Sequence, residues 1–334
     1  MKTILIDSGT TNSRIRLVKN NHVIDTVKVK VGVRNTAIDG HNRKLKTSIS
    51  EAVEQILYTN KLTAKDIKFI VASGMITSDL GLYEIPHINF PATLEDFVKS
   101  AVVVEIEEFK RIPCVFIPGA KNNYRGPNEE KVQRINEFDI MRGEEVETIG
   151  LLEQVHVSGK GAVVLPGSHT KFVIVDEHQT MLSSLSTLGG ETFQSLTKET
   201  ILSSSLPNYF IDEVNHQFLE KGFDAAENFG LTRSFYQIRL LQLFENTSDV
   251  ERANYLFGSI IYEDIFAFIK SISSHQLDWI VVGGNPFMRK TFAHLLQKVN
   301  QKWKVIEAGE EEAEFAMVVG AQSIALNKMK SLNE

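Results

Sequence analysis

The 334-residue chain predicts an α/β protein of two related halves, 1–158 and 159–334, with a cleft between them. Three observations carry this. A single hydrophobic core stops growing near roughly 250–300 residues, so two domains is the better expectation. Each half opens alike, with a strand, a glycine-containing turn, a second strand and a third, before helices and strands alternate. Finally, "IDSGTTNSRIRLV" (6–18) and "VLPGSHTKFVIV" (164–175) align with Gly9 on Gly167 and Thr10 on Ser168, a weak internal repeat 158 residues apart.

Alternation and β-branched content predict strands near 3–7, 13–18 and 22–31. A helix follows in "TSISEAVEQILYTN" (47–60), with Thr47 or Ser48 as its N-cap. "IKFIVAS" (67–73) and "CVFIPG" (114–119) read as buried strands, and the polar segment 121–136 ends the recognisable strands of this half. "DIMRGEEVETIGLLEQV" (139–155) places Met141, Val146, Ile149, Leu152 and Val155 at helical spacing. The second half begins with strands at 161–176 and 180–187, and helical patterns fill 189–274, most clearly 252–272. "DWIVVGG" (278–284) is a buried strand leading to a helix, "WKVIEA" (303–308) a short strand, and 311–329 a terminal helix.

Composition narrows the function. Hydrophobic residues at 43% and charged residues at 23% are ordinary for a soluble globular protein, and the net charge of −6 offers no basic field for nucleic acid or anionic lipid. The one cysteine, Cys114, excludes an internal disulfide framework and a cysteine-based zinc site, which fits a reducing cytoplasm. No apolar run approaches the roughly 18 residues of a membrane span. The apolar start of "MKTILIDSG" stops at Asp7, too early for a signal peptide. The expected partner is a small molecule, with room left for a homodimer.

The turn Gly9, Thr10, Thr11, Asn12 joins two strands with small, donor-rich residues. Such a nest presents N–H groups and hydroxyls to phosphate oxygens, and glycine lets the backbone approach closely. Asp7 cannot face a phosphate directly; it would hold Mg²⁺ through water, the metal bridging phosphate oxygens. A lone hairpin with Asp and Gly as turn formers explains the same residues, but a second such turn, Gly167, Ser168, His169, Thr170 and Lys171, tips the balance toward phosphate. That turn has Leu165 where the first has Asp7. His169 reads equally as a donor or a surface residue, while Lys171 leans toward a phosphate role. In "MRGEEVETIG" (141–150), Glu144 and Glu145 start a helix, where carboxylates are often plain dipole partners. One of them could instead accept a proton from an attacking hydroxyl, and Arg142 could grip a substrate carboxylate bidentately. Gly283 and Gly284, after a strand, permit close approach of a flat ligand. "SGKG" (158–161) fails as a P-loop because Gln154 occupies the place of the required glycine. The acidic run 307–315 caps and solvates the last helix.

Together these pieces resemble the actin-like ATPase superfamily, with its ribonuclease H-like domains, two phosphate hairpins and Gly-Gly adenosine loop. The closer resemblance is to the 2-dehydro-3-deoxygalactonokinases, through the two hairpins, "GMITSDLGLYEIP" (74–86), "DIMRGEEVETIG" (139–150), "GGETFQSL" (189–196), "VVGGNP" (281–286) and "AMVVGAQSIA" (316–325). The resemblance implies ATP- and Mg²⁺-dependent phosphorylation of the terminal (6-) hydroxyl of a 2-keto-3-deoxy sugar acid in galactonate catabolism. It implies Glu144 as base, with Asp139 behind it, and Arg142, Gly74 and Glu84 on the sugar-acid side. Leu82 stands where the family usually has Trp, and "GLTRSF" (230–235) replaces a glycine-rich segment. Alternatives of the same fold are a type III pantothenate kinase or an exopolyphosphatase, both of which expect an acid at Leu165. A non-catalytic sugar-acid sensor is the alternative from another class.

Overall fold

The strands alternate as their side chains demand: Ile4 and Ile6 on the first strand and Ile15 and Leu17 on the second enter one core with no more than 1% exposure. The computed structural model describes residues 1–123, 130, 132–207, 211–272 and 276–332. Most of the polar 121–136 segment, and short pieces of the 189–274 helical stretch, lie outside the described residues.

In chain order the elements are β1 (Lys2–Ser8), β2 (Ser13–Lys19), β3 (His22–Val29), α1 (Val33–Asp39), α2 (Arg43–Thr59), β4 (Ile70–Gly74), β5 (Ile88–Asn89), α3 (Leu94–Ser100), β6 (Val102–Glu105), β7 (Pro113–Phe116), β8 (Ala120–Lys121), β9 (Ile140–Met141) and α4 (Glu144–Gln154). There follow β10 (Gly161–Leu165), β11 (Thr170–Val175), β12 (Met181–Thr187), α5 (Gly189–Glu199), α6 (His216–Phe229), α7 (Leu231–Phe244), α8 (Asp249–Ser271), β13 (Trp279–Val282), α9 (Pro286–Val299), β14 (Lys304–Glu307) and α10 (Glu310–Ser331).

Two compact units emerge: Met1–His156 with Gln179–Ser183 and Glu314–Glu334, and Val157–His178 with Ser184–Ala313. The terminal stretch from Glu314 therefore belongs with the first unit, whereas the sequence reading assigns it to the second. Glycines explain this. A side chain at Gly150 on α4 would lie 1.8 Å from the Ala316 carbonyl, and one at Gly320 on α10 would lie 2.0 Å from the Val146 carbonyl. The two helix backbones thus touch where each carries no side chain.

The first unit holds a six-stranded sheet ordered β3-β2-β1-β4-β7-β6, the second a five-stranded sheet ordered β12-β11-β10-β13-β14. In each, the opening hairpin is antiparallel (β1/β2, β10/β11), and its first strand pairs in parallel with the next central strand (β1/β4, β10/β13). The weak repeat in sequence is thus a repeat of topology. A separate three-stranded sheet, β5-β8-β9, belongs to the first unit only. The second core centres on Phe172, stacked on Phe268 at 4.7 Å and edge-on to Phe292 at 6.4 Å. Among the described residues no helix is long and apolar enough to cross a membrane.

Helix α2 starts a turn before the expected position, because Leu45 extends the buried stripe formed by Ile49, Ala52, Val53 and Ile56. Thr47 and Ser48 sit inside it, and Asn42 is its N-cap. Helix α1 escaped notice because it is seven residues long and buries only Val33 and Thr36.

Candidate active site

In the first unit, β1 and β4 run parallel with Asp7 opposite Ser73 and Ser8 opposite Gly74, so both strands end together. The turn after β1 is closed by the Gly9 amide donating to the Asn12 carbonyl at 2.9 Å. Its carbonyls are tied back to the start of α1: Val33 N–H donates to Gly9 at 3.3 Å and Arg34 N–H to Thr10 at 2.9 Å. A side chain at Gly32 would lie 2.5 Å from both carbonyl oxygens, so this seat requires glycine. Beneath the turn, Ser13 donates its hydroxyl to the Val31 carbonyl at 2.8 Å, leaving Ser8 as the donor in the 2.8 Å bond between the two serines. With its carbonyls turned inward, the turn leaves the amides of Thr10, Thr11 and Asn12 without a protein acceptor among the described residues. This is the nest that an anion would fill.

Gly74 and Gly143 build the floor. Gly74 has φ of 78°, a left-handed backbone open to glycine, and any side chain there would lie 2.6 Å from the Ser8 carbonyl and 3.4 Å from Asp7 Oδ1. Gly143, with φ of 117°, places its own missing side chain 3.3 Å from the Gly74 Cα. The N-terminus of α4 is thereby brought onto the ends of β1 and β4. Burial pushes the Asp7 carboxyl up, Arg16 and Arg14 pull it down, and Glu144 pushes it up again. Of the two candidate bases, then, Glu144 is the one whose charge reaches Asp7. Asp139 leads into β9, where its carbonyl accepts the Asn122 amide at 2.9 Å.

The two adjacent glutamates fold back differently. Glu144 is half-buried and its Oε2 accepts the Arg142 amide at 3.0 Å. Glu145 is fully buried; both its oxygens lie 2.8 Å from the Gly143 amide, and burial, then the Glu144 charge, push its carboxyl up to about 8. Arg142 is heavily engaged. Its Nη1 donates to the Thr77 carbonyl at 2.7 Å and the Thr77 hydroxyl at 2.6 Å, and its Nη2 donates to the Ile85 carbonyl and His87 Nδ1, both at 3.0 Å. All four terminal hydrogens of the guanidinium are spent, so a bidentate grip on a substrate carboxylate would require leaving these partners. Since arginine only donates, His87 Nδ1 is the acceptor and Nε2 carries the proton. Burial and then Arg142 hold the His87 pKa down at about 4. Arg142 thus fastens the segment 77–87, which also carries the exposed Glu84, to the start of α4.

The second unit repeats the brace. Glu191 N–H donates to the Ser168 carbonyl at 2.9 Å, and a side chain at Gly190 would lie 2.0 Å from the Gly167 carbonyl. Gly32 and Gly190 stand 158 residues apart, the same offset as Gly9 and Gly167. The amides of Gly167, Ser168 and His169 likewise meet no protein acceptor among the described residues. His169 Nε2 lies 3.4 Å from Glu191 Oε1 at the exposed tip. Thr170 and Lys171 differ from expectation, because both side chains are turned inward. Thr170 is fully buried and donates to Asp264 Oδ2 at 3.1 Å; Lys171 is 5% exposed and donates to the Ser186 hydroxyl at 2.5 Å. Gly283 N–H donates to the Val164 carbonyl at 2.9 Å, and Gly284 seats itself against Pro166 with space for no side chain, 2.8 Å from its carbonyl. The Gly-Gly loop therefore borders the second hairpin, ahead of α9, whose N-cap Asn285 accepts the Met288 amide at 3.0 Å.

A family model for 2-keto-3-deoxy-galactonokinases matches residues 7–318. The chain belongs to that family of carbohydrate kinases. A solved structure from Sinorhizobium meliloti, provisionally described as a 2-dehydro-3-deoxygalactonokinase, is similar over 96% of this chain and 99% of its own, with a TM-score of 0.72 and 21% identity. The activator of 2-hydroxyisocaproyl-CoA dehydratase from Clostridium difficile, solved with bound ADPNP, is similar over 100% and 98%, with a TM-score of 0.51 and 13% identity. At those identities the structures establish the fold, the two-unit actin-like ATPase fold expected from the sequence. No curated protein sequence matches the chain significantly. Residues that sequence reasoning missed include Gly32, which the repeat offset already marks, and Asp264, the second of two adjacent acids in the mostly apolar "FGSIIYEDIFAF" of α8.

Proposed function

We propose that this sugar-acid kinase transfers the γ-phosphoryl group of ATP to the terminal hydroxyl of 2-dehydro-3-deoxygalactonate or a close 2-keto-3-deoxy sugar acid, in cytoplasmic galactonate catabolism. The observation that carries the chemistry is the Gly74–Gly143 floor, which brings the start of α4 near enough for the Glu144 charge to raise the Asp7 carboxyl. Glu144 accepts the proton of the attacking hydroxyl, and that oxygen then forms the bond to phosphorus as the bond to the ADP oxygen breaks. The donor-rich turns at 9–12 and 167–169 receive phosphate oxygens, and Gly283-Gly284 the nucleoside.

Mg²⁺ fits the residues present. Among the described residues no group of three or more metal-ligating side chains exists, and Asp7 is the carboxylate that would hold the ion, through water. Burial makes the Asp7 carboxylate costly to ionise, and a cation offsets that cost. When bound, the ion neutralises charge on the transferring phosphoryl group. Arg142 acts on the sugar acid through the segment it fastens.

A coupled ADP-release assay with 2-dehydro-3-deoxygalactonate and its stereoisomers tests the assignment. Turnover dependent on the acid is expected with 2-dehydro-3-deoxygalactonate preferred. ADP release unchanged by any such acid overturns it.

A further inference from the structure

The second hairpin lacks the acid that the first carries, since Leu165 replaces it, yet a carboxylate reaches that hairpin from elsewhere. Asp264, midway along α8, is 4% exposed, and its Oδ2 accepts the Thr170 hydroxyl at the hairpin's exit. The same oxygen would lie 2.2 Å from a side chain at Gly189, the first residue of α5. The buried Thr187 hydroxyl, at the end of β12, lies close enough to lower the pKa of the same carboxylate, though it has no hydrogen-bond partner among the described residues. One buried group therefore touches the last residue of the turn, the end of the third strand and the start of the helix whose Gly190 and Glu191 brace Gly167 and Ser168. We propose that Asp264 is the positioning residue of the second phosphate hairpin, an ionised carboxylate that fixes the Thr170 hydroxyl and the head of α5 so that the amides of Gly167–His169 stay aimed at phosphate.

This rests on the kinase reading above, and it concerns how ATP is held rather than which acid is phosphorylated. Thr170 is fully buried, so it acts through the turn and not on the ligand. Burial raises the Asp264 carboxyl to about 6, against the lowering influence of the nearby Thr187 and Thr170 hydroxyls, with Glu263 of the same helix adding to the rise. The other titratable groups of the hairpin and of α5 are His169 and Glu191, paired at 3.4 Å, with Lys171 on β11 and Lys198 and Glu199 at the far end of α5. The ionised carboxylate accepts a charge-assisted bond from the Thr170 hydroxyl, and protonation weakens it.

The test compares wild type with Asp264→Asn, which mimics the protonated acid at constant shape. At pH 8 the KM for ATP rises roughly ten- to a hundredfold, the worth of one charge-assisted hydrogen bond. The kcat at saturating ATP and the KM for the sugar acid stay within about threefold of wild type. At pH 5 the difference in ATP KM closes, because the wild-type acid is itself protonated. Thr170→Val, close in shape to threonine, reproduces the phenotype and covers the case in which Asp264→Asn folds poorly. Hydrogen exchange without ligand at the Glu191 amide, which donates to the Ser168 carbonyl, separates this inference from the kinase reading. Faster exchange in Asp264→Asn sustains the positioning role even if wild type proves unable to turn over ATP. Unchanged exchange, or an ATP KM ratio constant from pH 5 to pH 8, overturns it.

Discussion

Glu145→Gln should make the protein more stable at neutral and alkaline pH, although it removes an ionisable residue from the heart of the first unit. The carboxyl is fully buried, and its pKa moves from 4.5 to about 8. A carboxyl whose folded pKa lies above its unfolded one binds its proton more tightly when folded. Stability is then greatest below pH 4.5 and is lost as pH rises toward 8, after which the loss is constant. At about 1.36 kcal/mol per unit, the full loss is about 5 kcal/mol, of which about 3 kcal/mol is reached by pH 7. Glutamine retains a carbonyl oxygen for the Gly143 amide and resembles the protonated acid, so it escapes this loss. Urea unfolding at pH 5, 7 and 9 checks it, since every other group titrates alike in both proteins. The variant should match wild type near pH 5 and exceed it by about 3 kcal/mol at pH 7. Parallel stability curves across that range would refute the idea that burial keeps Glu145 protonated.

The paired braces make a matched prediction. Gly32→Ala and Gly190→Ala each drive a methyl group into turn carbonyls, at 2.5 Å and 2.0 Å, and each should cost about 1–3 kcal/mol in unfolding free energy and weaken MgADP binding by calorimetry; wild-type affinity in both would sever the braces from the phosphate turns. Arg142→Lys keeps the charge but loses the fork, so a rise in sugar-acid KM with an unchanged ATP KM is expected from steady-state kinetics. Equal rises in both constants would place Arg142 outside the sugar-acid side. Nitrogen-detected NMR should show His87 neutral, with the proton on Nε2, down to pH about 4; a midpoint near 6.5 would contradict its bond from Arg142.

Much of this was legible because glycines and small polar residues announce turns where side chains cannot fit. The two hairpins, their common strand order and the Gly-Gly loop follow from "IDSGTTNS", "LPGSHTK" and "VVGGNP". The direction in which side chains leave a strand was less legible. Thr170 and Lys171 look like phosphate donors in sequence, but β11 is buried along its whole length, and the two side chains turn to opposite faces, Thr170 to Asp264 and Lys171 to Ser186. Arg142 reads as a free guanidinium, but its partners, Thr77, Ile85 and His87, lie 55 to 65 residues away in sequence. The terminal helix was assigned by chain order, whereas Gly150 and Gly320 assign it by close packing. Such long-range pairings leave no local pattern to read.

The central claim is that Glu144 takes the proton from a sugar-acid hydroxyl beside Asp7. The most direct measurement is the turnover of Glu144→Gln with saturating ATP and 2-dehydro-3-deoxygalactonate, alongside its MgATP affinity by calorimetry. A kcat reduced by about 10²–10⁴-fold, the usual contribution of a general base, is expected, with affinity within a few-fold of wild type. Near-normal turnover with intact MgATP binding would contradict it.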